Sequence, residues 1–341
     1  MRIALLMGGD STEREVSLVS GEQVFNALQE NGHEVIKIDP TATKSEQTAL
    51  NQTDLQWIGI DYPDIETLPL HRGSLYAKNI LIIKRLKVDV VFIALHGGKG
   101  ENGVIQGMLD AAEIPYTGSG RIASMLAMEK DLSRLIFKSC RLPVPRGLVV
   151  DKKKYTPIEN FRTIKLPVVV KPSNQGSTIG LHIVDKMDDL HRAIEDSFLY
   201  SNRTIIEEYI PGRELTVTIL GEKAYPIVEI IPSHGLYDYE CKYSSGMSQY
   251  VVPAELDQNL TKKIQGLALR AHQVLGCQGY SRVDMRLSPD NKPYLLEVNT
   301  LPGMTGTSLV PKAVKAVGID FNQLIEMILN EALNRKNHNT I

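Results

Sequence analysis

The chain has 341 residues, 43% hydrophobic and 23% charged, the balance of a folded globular protein rather than a disordered or fibrous one. Its length exceeds one ordinary domain and fits two or three. The 38 basic and 40 acidic side chains leave a formal net charge of −2. No global field therefore marks a nucleic-acid or polyanion binder, and any bound anion needs a local site. Cys140, Cys241 and Cys277 are an odd set without CxxC spacing, which argues against a disulfide framework or a thiolate zinc site and for a reducing compartment.

The apolar stretch at the N-terminus stops at Gly8-Gly9 and runs into Asp10, Glu13, Arg14 and Glu15, too soon for a secretory segment. Ile3–Met7 reads instead as a buried parallel strand. A helix is expected over about 17–31, with Val24 and Leu28 on one face and Gly32 as its stop, then a strand at His33–Asp39. Residues 40–75 are polar and proline-punctuated, and loops with short elements are expected there. Val88–Leu95 is another buried strand, ending at His96-Gly97-Gly98 and leading to a helix that carries Val104, Met108, Leu109 and Ala112. Such alternation implies a doubly wound parallel sheet with its ligand site beyond the C-terminal strand ends, where both Gly-Gly loops fall. No apolar run approaches the roughly 20 residues that span a bilayer, so no membrane association and a cytoplasmic location are expected.

After about residue 130 the pattern changes. Lys165–Lys171 and Leu181–Val184 read as strands joined by the Gly/Ser loop Pro172–Gly180, a hairpin rather than a strand-to-helix phosphate loop. Thr204–Tyr209 is a strand, Pro211-Gly212 a turn, and two more strands are expected at about 214–220 and 224–231. Residues 233–249, rich in Tyr, Ser and Gly, have the composition of a mobile binding loop. Leu260, Ile264, Leu267, Ala268, Ala271, Val274 and Leu275 mark a helix that Gly276 ends. Arg282–Leu287 and Pro293–Val298 are strands joined by the turn at 288–291. A final helix carries Phe321, Leu324, Ile325, Ile328 and Ala332, with Asp320 as N-cap, before a polar tail, 334–341, expected to fray.

The strongest chemical signal is Asp284 with Glu297 and Asn299. Glu297 and Asn299 are two apart on one strand and share a face, and Asp284 lies on the strand paired with it. Three oxygen donors converging from a hairpin suit a hard cation such as Mg²⁺; the alternative is a solvated polar face. Arg282 points to the same face, where a cation suits a phosphoryl group or developing oxyanion. Lys171 closes the apolar run Val168–Val170 just before the Gly/Ser loop, placed to reach a phosphate while loop N–H groups cradle others. Lys130 and Lys242 are candidates for the same role, although isolated lysines are mostly surface charges. His96 follows a buried strand in a glycine-rich setting that lets a ligand approach the backbone; it is either catalytic or structural. The remaining histidines lack zinc spacing, and GxSxG, GxxxxGK[ST] and GxGxxG are absent.

In this order the segments GGDSTEREVSLVSG, HGGKGENGVIQGMLD, PYTGSG, MEKDLSR, VVVKPSNQGSTIG, YDYECKY, YSRVDMR and YLLEVNTLPGMTGTSLVPK resemble the D-alanine–D-alanine ligase family of the ATP-grasp superfamily. Each motif alone is weak, but eight in order are specific; residues 40–88 fit least well. The resemblance implies an N-terminal α/β substrate domain (1–129) with a doubly wound parallel sheet. A two-part ATP-grasp fold of the α+β class would follow, with a central part (130–213) and a C-terminal part (214–341). It implies a reaction in which ATP phosphorylates the carboxylate of one D-alanine and the amine of a second attacks the acyl phosphate, for peptidoglycan precursor synthesis. Glu13 would receive the first ammonium, Arg282 and the Gly303 backbone would stabilise the oxyanion, and Ser308 with the Leu309 backbone would hold the second carboxylate. Lys130, Lys171 and Lys242 would contact phosphates, Glu207 and Glu214 adenine and ribose, and Asp284, Glu297 and Asn299 two Mg²⁺ (or Mn²⁺). Glu13, Ser177 and Tyr243 match a hydrogen-bonded trio that closes a loop over the site, and Tyr243 favours an amine acceptor. The resemblance also implies a homodimer through the N-terminal region. Asn102 and Gln175 stand where the family often has Asp and Glu, a change expected to tune affinity. Two other readings stay open: a related ligase with D-lactate or D-serine as acceptor, and a non-catalytic nucleotide-binding regulator.

Overall fold

The computed structural model describes residues 1–52, 73–156, 165–233 and 246–338. The N-terminal unit comprises β1 (Arg2–Leu6), α1 (Arg14–Glu30), β2 (Glu34–Ile38), α2 (Lys44–Gln52), α3 (Gly73–Leu86), β3 (Val90–Ile93), α4 (Gly98–Glu101) and α5 (Val104–Ala111). Its strands pair in parallel in the order β2-β1-β3. Ile3–Leu6 and Val90–Ile93 are fully buried, as continuous apolar runs covered on both faces must be. Helix α1 starts at Arg14, three residues before its apolar spacing suggested. Glu13 therefore sits at the helix N-terminus, where the unpaired N–H groups favour negative charge. The polar stretch at 40–75 contains α2, and its part at 53–72 lies outside the described residues.

Two helices follow, α6 (Arg121–Met128) and α7 (Lys130–Ser139). The central sheet comprises β4 (Gly147–Asp151), β5 (Val168–Pro172), β6 (His182–Val184) and β7 (Arg203–Glu208), with α8 (Met187–Tyr200) packed on it. Its antiparallel order is β4-β7-β5-β6, so β5 and β6 form the expected hairpin around the Gly/Ser loop. Residues 157–164 lie outside the described residues.

The last unit holds β8 (Arg213–Leu220), β9 (Lys223–Ala224), β10 (Val228–Pro232), β11 (Ser248–Val251), α9 (Gln258–Val274), β12 (Tyr280–Leu287), β13 (Pro293–Asn299), α10 (Leu309–Lys315) and α11 (Phe321–His338). The sheet order is β11-β10-β8-β12-β13, with β9 paired to β8. The strand expected at 224–231 is divided between β9 and β10; Pro226, which has no N–H to donate to a ladder, lies in the interruption. Most of the expected binding loop, 234–245, lies outside the described residues. Asp320 caps α11 reciprocally: its Oδ1 accepts from Gln323 N at 2.8 Å, and its own N–H donates to Gln323 Oε1 at 3.0 Å. The helix runs through Asn334, where fraying was expected, to His338.

Leu324, Ile325, Ile328 and Leu329 of α11 join the same core as β1 and β3. Polar contacts fasten this return: Asn31 Nδ2 donates to Asn322 O (3.0 Å), and His33 Nε2 meets Glu326 Oε2 (2.9 Å). The last helix thus ties the C-terminal sheet to the first one. Among the described residues, no helix is long and apolar enough to cross a membrane.

Candidate functional site

Register puts one row of polar groups on a single face of the C-terminal sheet. Arg282 pairs across the β12–β13 ladder with Asn299, and Asp284 with Glu297; on the other side Asp284 pairs with Thr216 and Arg286 with Glu214. Residues directly opposite share a face, as do residues two apart on one strand. Asp284 is held by Arg282 Nε (2.9 Å) and Nη2 (2.7 Å), and by Thr216 Oγ1 (2.6 Å). Asn299 satisfies both neighbours when its amide nitrogen donates to Glu101 Oε1 (2.5 Å) and its oxygen accepts from Arg282 Nη2 (3.1 Å). The oxygen donors are therefore two carboxylates and one carboxamide. This hard donor set fits a divalent cation that also takes phosphate oxygens and water. No cluster of three or more His, Cys, Asp or Glu side chains suited to a metal occurs among the described residues.

A slot of about 1010 Å³ lies between the central and C-terminal sheets. Val169, Ile179, Leu181, Ile183, Ile210 and Leu296 give it apolar walls, while Lys171, Glu207, Glu214, Asp284 and Arg286 supply charge. Lys171 Nζ pairs with Glu207 Oε1 at 2.6 Å, and Arg134 grips the other oxygen of that buried carboxylate. Glu207 is thus fixed by two cations. Glu214 pairs with Arg286 at 3.2 Å. Lys130 Nζ donates to the backbone oxygen of Gln175 (2.7 Å) and lies 3.3 Å from Glu297, so it joins the Gly/Ser loop to the cation face.

A second cavity, about 880 Å³, is lined by Glu13, His96, Glu101, Arg282, Asn299, Gly303 and Ser308 among others. It shares Lys130, Gly176, Ser177 and Glu297 with the slot. Ser177 Oγ donates to Glu13 Oε1, which closes the Gly/Ser loop onto the N-terminal unit. Ser177 and Thr178 hold φ of 51° and 65°, a costly conformation for residues other than glycine. Glycines flank Glu13 on two sides: a Cβ would meet Glu13 Oε2 at 2.6 Å from Gly97 and at 2.9 Å from Gly176, so either would displace the carboxylate. Ser11 Oγ donates to His96 O and accepts from Glu13 N (3.1 Å), so the two Gly-Gly loops are stitched together beside Glu13.

Both ring nitrogens of buried His96 are engaged, Nδ1 with Leu301 O (2.8 Å) and Nε2 with Ser20 Oγ (2.9 Å). Burial holds its pKa below the usual histidine value, against the pull of the Glu13 carboxylate. Glu101, not singled out from sequence, accepts from Gly97 N and Leu301 N, each at 3.2 Å. Its pKa is pushed up to about 7, chiefly by burial and next by the Glu13 charge. Past Asn299 the chain turns through Gly303 to Ser308, whose Oγ accepts from Thr305 N at 2.9 Å. A Cβ on Gly303 would stand 2.9 Å from that hydroxyl.

The candidates Glu13, Ser177, His96, Arg282, Gly303, Ser308, Lys130, Glu297 and Asn299 therefore surround one cavity, and Lys171, Glu207, Glu214 and Asp284 the adjoining slot. Lys242 and Tyr243 lie outside the described residues. Asn102 Oδ1 accepts from Val104 N (3.2 Å) at the start of α5, a role a carboxylate would fill equally. Ser20, Glu101 and Arg134 had not been picked out. All three stand inside the motif segments, Ser20 in GGDSTEREVSLVSG, Glu101 in HGGKGENGVIQGMLD and Arg134 at the end of MEKDLSR, but their partners come from distant segments.

A parallel N-terminal sheet followed by two antiparallel sheets enclosing a slot is the ATP-grasp architecture of carboxylate–amine ligases. A family model described as D-ala D-ala ligase N-terminus matches residues 2–119, and one described as D-ala D-ala ligase C-terminus matches 136–330. The D-alanine–D-alanine ligase of Halalkalibacterium halodurans is 41% identical over 340 residues, spanning 98% of this chain and 100% of its own. That of Aquifex aeolicus is 39% identical over 329 residues, spanning 96% and 100%. The crystal structure of the D-alanine–D-alanine ligase from Bacillus anthracis complexed with ATP aligns with a TM-score of 0.79 at 30% identity, over 99% of each chain. The chain belongs to the D-alanine–D-alanine ligase family.

Proposed function

We propose that this enzyme joins two D-alanine molecules into D-alanyl-D-alanine, converting ATP to ADP and phosphate, as a step of peptidoglycan precursor synthesis. The observation that carries the reading is the shared wall Lys130–Gly176–Ser177–Glu297. It sets an apolar-walled slot directly against a polar cavity, as transfer of a γ-phosphoryl group to a bound carboxylate requires.

In this reading the base lies among the apolar walls near Glu207–Ile210, with Glu214 at the ribose and Lys130, Lys171 and Lys242 at the phosphates. Asp284, Glu297 and Asn299 would hold Mg²⁺ (or Mn²⁺), which when bound neutralises charge on the phosphates. Glu13 receives the first ammonium. A carboxylate oxygen of that D-alanine attacks the γ-phosphorus, the bond to the β–γ bridging oxygen breaks, and ADP leaves. The amine of the second D-alanine, its carboxylate held by Ser308 and the Leu309 N–H, then attacks the acyl carbon. Arg282 and the Gly303 N–H face the resulting oxyanion, worth most as negative charge develops there. Collapse breaks the carbon–oxygen bond, the nitrogen gives up its extra proton to the departing phosphate, and the peptide remains. Contact of Ser177 with Glu13, which Tyr243 would join by the family resemblance, would keep water from the acyl phosphate.

Further parts of the proposal are a homodimer through the N-terminal unit, where Leu81 and Ile82 of α3 stand exposed, and a cytoplasmic location, where ATP is available. The test supplies ATP and Mg²⁺ with D-alanine alone, L-alanine alone, or D-alanine plus excess D-lactate, and identifies products by mass. D-alanyl-D-alanine from D-alanine alone is expected. Product only with another acceptor would move the specificity, and no turnover with ATP still bound would favour a regulator.

A further inference from the structure

Leu301 lies between the candidate cation ligand Asn299 and the candidate oxyanion donor Gly303, and its peptide groups are held from both sides by the loop after β3 and the short helix α4 that follows it. Its N–H donates to Glu101 Oε1 at 3.2 Å, and its carbonyl oxygen faces His96 Nδ1 at 2.8 Å. A carbonyl can only accept, so Nδ1 carries the ring proton and Nε2 is the acceptor. The hydroxyl of Ser20 then donates to Nε2 across 2.9 Å, and the Ser20 oxygen accepts from Met304 N at 3.3 Å. The relay leaves the segment at Met304 and returns to it at Leu301, bracketing Gly303. Its members are buried, at 6% exposure for His96, 0% for Ser20 and 8% for Glu101, so a missing partner is costly. Glu101 also takes Gly97 N, which ties the glycine beside Glu13 to the same anchor.

We propose that His96, Ser20 and Glu101 are positioning residues that lock the Asn299–Met304 segment to the N-terminal unit and so aim the Gly303 N–H at the reacting carbon. The proposal rests on the reading of Gly303 as an oxyanion donor and deepens it. In it His96 transfers no proton: with Nδ1 committed to Leu301 and Nε2 to Ser20, neither nitrogen is left to serve a substrate. The grip also explains a coupling across 205 residues of sequence, since substrate ammonium and oxyanion sites lie on different units and must keep one spacing.

The test compares Ser20→Ala, His96→Ala and His96→Asn with the unsubstituted protein by amide hydrogen exchange and steady-state kinetics. Asparagine places an amide nitrogen close to where Nδ1 lies and keeps the donor to Leu301. In the ligand-free state, Ser20→Ala should accelerate exchange at Met304 about tenfold or more. Ser20→Ala and His96→Ala should lower kcat about tenfold or more with the KM for ATP within about twofold. His96→Asn should recover most of the lost kcat. Unchanged exchange at Met304 in Ser20→Ala would show that the grip does not exist. Faster exchange with kcat unaltered would show that it does not serve Gly303, and either result overturns the proposal. Exchange needs no turnover, so inactivity of the unsubstituted protein would count against the ligase reading alone.

Discussion

Glu13 illustrates how closely single residues are constrained here. It lies at the N-terminus of α1, accepts from Ser177, and has glycines on two sides that leave space for its carboxylate. Gly97 has a φ of 64°, so substitution there would combine strain with a clash, whereas no such conformation is recorded for Gly176. Gly176→Ala is therefore the cleaner probe: a methyl group 2.9 Å from Glu13 Oε2 must displace it. The KM for the first D-alanine should rise about tenfold or more, and wild-type KM values in this variant would argue that Glu13 does not bind substrate. Arg282 makes a different kind of contribution. Its guanidinium already holds Asp284 in a bidentate pair, and in the reaction it would face an oxyanion that exists only fleetingly. Arg282→Ala should lower kcat by about 10²–10³, the usual effect of removing an oxyanion donor. ATP binding, measured by calorimetry, should remain; unaltered turnover would remove Arg282 from the chemistry.

Elements whose buried face is apolar were readable from spacing. β1, β3, α9 and α11 are examples, and the alternation in β12 and β13 placed Arg282, Asp284, Glu297 and Asn299 on one face before any coordinates. Helix α7 was not readable because it buries Lys130, Ser133 and Arg134 with Phe137: the period is helical, but the buried groups are polar, with Lys130 beside Glu297 and Arg134 on Glu207. Helix α8 shows regular spacing in Leu190, Ala193, Ile194 and Phe198, although it is not among the helices expected from sequence. Helix α9 also carries a pH-dependent load. Burial lowers the pKa of His272 to about 4, and its Nδ1 meets Ser281 Oγ at 2.7 Å. The unfolded chain, with a histidine pKa of about 6.5, takes up this proton first, so the folded state loses stability as pH falls from about 6.5 to about 4. The share of this one group is about 3 kcal/mol. His272→Asn should show a correspondingly shallower decline in urea-unfolding free energy over that window; parallel curves for the two proteins would dismiss the assignment.

Taken as a whole, the molecule brings together residues that sequence keeps far apart. Motif order was legible, and with it the architecture and most of the candidates that the structure gathers around the cavity and the slot. The contacts joining its units were not, because a grip such as His96 on Leu301 depends on packing between distant segments. The return of α11 onto the first sheet was hidden for the same reason: its apolar stripe shows that it is buried, not against what. These joints bring the slot and the cavity to a common wall, and the chemistry proposed for that wall is transfer through an acyl phosphate. The most direct test uses D-alanine labelled with ¹⁸O in its carboxylate, with ATP and Mg²⁺, and weighs the released phosphate. Transfer through an acyl phosphate predicts one ¹⁸O in each phosphate, carried over when the carbon–oxygen bond breaks. Peptide formed with unlabelled phosphate would contradict it, because the carboxylate oxygen would never have bonded to phosphorus.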